Sequence, residues 1–290
     1  MTQRVCIGKT IRPASGGTGQ HPALPPAALR RGAAACALGL LALLSGCAQQ
    51  GRSPDGADAA ALHSDSEARR RAHIRLELAA SYLQRGQNAV ALEEAGQALA
   101  ADPGFADAWH LRGLVHMAMG DEEQAQADLE RALGMRPRDP DILHNLGWLQ
   151  CQRSQYARAN QLFERALAVP TYALRGKTLL SQGLCQQRAG QDSQAEQTLQ
   201  RAYQVDPANP ATGYHLAALL FAQGQSERAQ FHARRVNNGE FSNAESLWLG
   251  IKIERALGNG VAMRQLMAQL RKRFPEARQT QALERGAFDE

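Results

Sequence analysis

Few side chains in this sequence are placed to do chemistry. His110 and His144 lie one period of 34 residues apart, and Cys151 follows His144 by two helical turns. Two imidazoles and a thiol could hold a metal ion, but no carboxylate or second cysteine sits at ligand spacing, so polar groove-lining residues are expected and no metal site. Gly-x-Gly-x-x-Gly, Gly-x-Ser-x-Gly and His-Glu-x-x-His are all missing. The expectation is therefore a non-enzymatic protein with no cofactor and no small-molecule substrate. Cys151 and Cys185 could pair in an oxidising compartment, since each ends the first helix of a repeated unit and neighbouring first helices pack side by side. They fall at the twelfth and tenth positions of their units, so they face differently, and two buried free thiols are expected.

Cys47 offers another chemistry. Residues 1–29 are rich in Gly, Pro, Ala, Ser and Thr; Arg30 and Arg31 then precede the apolar run GAAACALGLLALLSG, which is shorter than the ~20 residues of a comfortable membrane span. The run ends in Leu44-Ser45-Gly46-Cys47, a tetrad that resembles the bacterial lipobox. That resemblance implies a diacylglycerol anchor on Cys47. Ala48 stands where Asp usually marks inner-membrane retention, so an outer-membrane position facing the periplasm is expected. Residues 1–46 read as a lipoprotein signal peptide with a long leader, exported by the general secretory route. Residues 47–66, polar and without apolar periodicity, read as a flexible tether.

The formal charge of +5 comes from the leader. Arg4, Lys9, Arg12, Arg30 and Arg31 face no acid before residue 47, which leaves 28 basic against 28 acidic residues (33 − 5 = 28). A near-neutral mature chain gives little support for nucleic-acid binding, which needs surplus Lys and Arg.

A high hydrophobic content of 44% with only 5% aromatics makes this an Ala- and Leu-built helical chain. Asp107–Pro137 carries Trp109, Gly113, Gly120, Ala125, Leu129, Ala132 and Pro137 at the spacings of a tetratricopeptide repeat, a helix-turn-helix unit of 34 residues. Gly113 and Ala125 let two helices approach, Gly120 permits the turn, and Pro137 cannot continue the second helix. Copies recur from Leu78 to Pro103, from Leu146 to Pro170, from Gly183 to Pro207, from Leu216 to Ala233 and from Leu249 to Pro275. Two extra residues around Thr171–Gly176 should bulge. The expected fold is all-α, a superhelical solenoid of six repeats over residues 67–275, with residues 276–290 a short tail.

In such arrays the first helices line a concave groove, through repeat positions 2, 5, 9, 12 and 13. These positions include Leu76, Leu83, His110, Leu114, Met117, His144, Trp148, Leu180, Leu184, Tyr214, Phe221, Leu247 and Ile251. An apolar groove with Trp148, Tyr214 and Phe221 as anchors suits an amphipathic helix or an extended apolar peptide. A tightly wound array, or the tail, could instead bury several of them. Leu76 and Ala80 stand where a carboxylate-capturing array has Lys and Asn, so a chaperone-adaptor role is not expected.

The tetrad at Cys47, the six repeats, the insertion before the fourth and the ending LRKRFPEARQTQAL (Leu270–Leu283) together resemble the PilF/PilW family of type IV pilus lipoproteins, the pilotins of the pilus secretin. The resemblance implies a lipid-anchored scaffold that binds secretin subunits and promotes their assembly at the outer membrane. The alternative on the same scaffold is a lipoprotein serving outer-membrane protein assembly or peptidoglycan enzymes.

Overall fold

The structure, a computed structural model, describes residues 54–288. The chain divides into two units, one ending at Ala68 and the other beginning at Arg69. Of the first, Pro54–Ala68 is described and is helical, the opening stretch of α1 (Pro54–Gln84). Helix here departs from the expected tether. Ala57, Ala59, Ala60, Ala61 and Leu62 are strong helix formers, and Pro54 at the first position has no N–H to leave unpaired. The signal peptide, Cys47 and tether residues 47–53 lie outside the described residues.

In the second unit α1 continues to Gln84 and is followed by α2 (Asn88–Ala101), α3 (Ala106–Met119), α4 (Glu122–Met135), α5 (Pro140–Gln152), α6 (Tyr156–Leu167) and α7 (Arg175–Arg188). Then come α8 (Asp192–Val205), α9 (Pro210–Ala222), α10 (Ser226–Asn237), α11 (Ala244–Ala256), α12 (Gly260–Arg273) and α13 (Arg278–Arg285). All regular structure among the described residues is helical, and the first twelve helices form six hairpins. Each hairpin packs on the next, so the core is a row of small clusters rather than one centre.

Small residues set the close approach within a hairpin. A Cβ on Gly113 would stand 2.8 Å from Leu129 Cγ, and one on Gly183 would stand 2.7 Å from Leu199 Cγ. Turns are set by left-handed residues: Gly120 has φ +83°, and glycine holds the same place in every hairpin except the third, where Ser154 takes φ 60°. Starts are set by caps. Asp139 accepts from Asp141 N at 3.0 Å before Pro140, and Asn209 accepts from Ala211 N at 3.0 Å before Pro210.

Three local expectations are corrected. The longer connection between α6 and α7 does not simply bulge; it tucks Tyr172 inward, with its hydroxyl 2.8 Å from Thr178 Oγ1. Residues 276–288, expected simply as a short tail, include a packed helix: Ala282 and Leu283 of α13 bury themselves against Leu247, Trp248 and Ile251, and Phe288 stacks on Trp248 at 5.4 Å. The α13 helix takes the place of a following first helix and closes that end of the array.

The third correction is chemical: Cys151 and Cys185 form a disulfide, with Cα atoms 5.8 Å apart. Successive first helices repeat by near-translation, so the face one offers its successor is opposite to the face the successor offers back. Positions twelve and ten differ by about 200° around a helix. That difference is what pairing between neighbours requires, so it favours the bond rather than opposing it.

Candidate protein-binding groove

The first helices α3, α5, α7, α9 and α11 follow one another along one face of the array, where their side chains meet. In the second hairpin His110, Leu114 and Met117 are half-buried. Asn145 Nδ2 donates to His110 Nε2 at 2.8 Å, which ties α3 to α5. Burial lowers the pKa of His110, outweighing the nearby Asp139, Asp141 and Asp107. In the third hairpin Trp148 is half-buried, and the Arg188 guanidinium lies over its ring at 4.8 Å. Leu180, Leu184, Tyr214 and Phe221 continue a half-exposed apolar strip through the fourth and fifth hairpins. Burial and, more weakly, Glu245 raise the pKa of Tyr214.

Three of the expected groove residues are closed off. His144 is buried, its Nδ1 2.9 Å from Thr178 Oγ1, and it serves the α5–α7 contact. Burial, followed by Lys177 and His110, lowers its pKa to about 3, so it is neutral at physiological pH. Leu247 and Ile251 are both 0% exposed. The reason is register: Ile251 stands seven residues before the turn glycine Gly258, as Ala217 stands seven before Gly224, so it faces its own hairpin partner. Trp248 then takes the groove-equivalent place, and Phe288 covers it. Leu83 is also buried, while Leu76 stays half-exposed.

Repeat position thirteen points to Arg188, whereas no spacing singles out Asn145. What remains open is an apolar strip from Leu114 to Phe221 with the neutral imidazole of His110 and one stacked guanidinium. Such a surface binds apolar side chains and offers no cluster of positive charge for phosphates. Among the described residues no group of three His, Cys, Asp or Glu is placed to hold a metal.

The tetratricopeptide repeat family matches residues 104–171 and 187–245. The solved structure of PilW, described as a widely conserved type IV pilus biogenesis factor, is 30% identical, superposes with a TM-score of 0.67, and is matched over 97% of its length and 73% of this chain. The chain belongs to the PilF/PilW family. PilF of Pseudomonas aeruginosa, a type IV pilus assembly protein, is 24% identical over 200 residues, or 69% of this chain and 79% of PilF. Its solved structure, with 23% identity and a TM-score of 0.67 over 77% of this chain, shares the fold. An uncharacterised Haemophilus influenzae protein is 29% identical over 135 residues, 47% of this chain and 75% of its own length.

Proposed function

We propose that this chain is a protein-binding scaffold of type IV pilus assembly, anchored by lipid on Cys47 in the outer membrane, where it acts as pilotin for the pilus secretin. The observation that carries this reading is that the match runs through 97% of the PilW biogenesis factor. Leu44-Ser45-Gly46-Cys47 supports the anchor. The Cys151–Cys185 disulfide supports an oxidising compartment such as the periplasm. The half-exposed strip around Trp148 and Phe221 supports a protein partner, because preorganised aromatic anchors on a rigid array bind with little ordering cost.

Co-purification of secretin with the double variant Trp148→Ala and Phe221→Ala tests the site. Retained secretin should fall at least about tenfold, the equivalent of 1.4 kcal/mol, while helicity measured by circular dichroism stays near that of the parent. Unchanged retention would remove the strip from the proposal.

A further inference from the structure

The repeat register exposes a second surface, at the edge of the first hairpin. From the third hairpin on, the third, seventh and eleventh positions of the first helix form a stripe that meets the preceding hairpin; in the second, Ala108 does so while Arg112 and His116 turn to Asp128 of their own hairpin. Gln182 and Gln186 both donate to Asn160 Oδ1 of α6, at 3.0 and 3.3 Å. Gln230 of α10 donates to Glu254 at 2.8 Å, and Leu216 and Leu220 cluster with Ala195 and Leu199 of α8. At the third position Ala108, Ile142, Thr178, Thr212 and Ser246 are all buried.

In α1 the same stripe is Ile74, Leu78 and Tyr82. Ile74 is 54% exposed and Leu78 is 39% exposed. Ile74 and Leu78 match the apolar stripe of the third hairpin, Ile142 and Leu146, and of the fifth, Leu216 and Leu220, yet they face solvent; leaving them uncovered forfeits burial of apolar area that those two hairpins obtain. Basic residues flank the stripe: Arg70 lies one turn before Ile74, and the Arg85 guanidinium lies over Tyr82 at 4.7 Å.

We propose that this edge is a docking surface for an amphipathic helix of a partner protein, one with an Ala/Leu face and acidic flanks, seated as the second helix of a preceding hairpin would be. The internal interfaces show the kind of element that covers the stripe. In the third hairpin it is α4, which brings Ala125 and Leu129 to Leu146 and carries Glu122, Glu123, Asp128 and Glu130 against the single Arg131. A second copy fits less well. Edge-to-edge pairing would set Arg70 and Arg85 against their own copies, and head-to-tail stacking is closed by α13. The surface is separate from the groove and stands whether or not the groove binds secretin.

The probe is a labelled synthetic peptide with the α4 sequence, Glu122–Met135, titrated by fluorescence anisotropy into the full chain. Binding is expected, with Ile74→Glu plus Leu78→Glu raising Kd at least about tenfold and Trp148→Ala leaving it unchanged. Arg70→Glu plus Arg85→Glu should weaken binding and flatten its salt dependence. All four side chains project outward, so circular dichroism should show these variants folded. Equal affinity of the parent and the Ile74/Leu78 variant would overturn the proposal. So would a dimer of the parent, seen by light scattering, that the same substitutions dissolve, since a second copy would then be the occupant.

Discussion

Replacing both Cys151 and Cys185 by alanine lowers the unfolding free energy by about 3–4 kcal/mol, and reductant does the same to the parent chain. The bond closes a separation of 34 residues, and the chain entropy it removes from the unfolded state is worth about 4 kcal/mol at that length. Both sulfurs are buried among Ala159, Phe163, Trp148 and Tyr156, so alanine leaves a small gap but no unpaired polar atom. The effect should also be local. In a row of hairpins stability is held by each unit and by its interface with the next, and this bond joins the third to the fourth. Urea unfolding of the double variant should therefore shift to a lower midpoint and broaden, with amide exchange rising first in α5 and α7. Reductant should have no further effect on the variant. An unchanged midpoint would show that the bond does not form in solution.

Mild acid should destabilise the array well before carboxylates protonate. His144 has a folded pKa of about 3 against 6.5 when free, with burial as the main cause. Because the folded pKa is depressed, the unfolded chain binds a proton between those values and the folded chain does not. The stability linked to His144 is thus fully present above pH 6.5 and is lost as pH falls towards 3. At pH 5 the loss from this one residue is about 2 kcal/mol, at 1.36 kcal/mol per pH unit. His110, His215 and His232 are lowered in the same direction, each chiefly by burial, and add to it. Glu254 enters later. Burial works to raise its pKa, but hydrogen bonds from Arg234, Asn259 and Gln230 prevail and lower it, so its contribution is lost only below about pH 4.5. Urea midpoints at pH 7.5 and 5.0 measure the effect, and His144→Gln should shrink the difference by about 2 kcal/mol. Equal midpoints for the parent chain would contradict the account.

The hairpins were legible because their constraints are local and volumetric. Gly113 and Gly183 have no room for a Cβ, Gly120 needs φ above zero, and the prolines after α2, α4 and α8 cannot donate. Such demands leave residue types at fixed spacing. What failed to show was whatever depends on how one hairpin sits on the next. The disulfide needed the opposed faces of neighbouring first helices. The sixth register turned on Gly258 rather than on Gly250, whose small size serves contact with Asn237 of the preceding hairpin as well as with Leu266. In the groove, the apolar character of Trp148, Leu184 and Phe221 could be read directly. Which positions stay open could not: His144 closes because α7 brings Thr178 to it, and Leu247 and Ile251 close because of register and α13.

We propose that a lipid-anchored array on Cys47 promotes secretin assembly at the outer membrane. The most direct measurement is the amount of multimeric secretin in outer-membrane fractions of cells whose only copy of this protein carries Cys47→Ala. A folded, soluble protein is expected, found away from the outer membrane, with secretin multimers reduced at least about tenfold, since without acyl chains the anchor contributes nothing. Secretin multimers at parental levels in those fractions would contradict it.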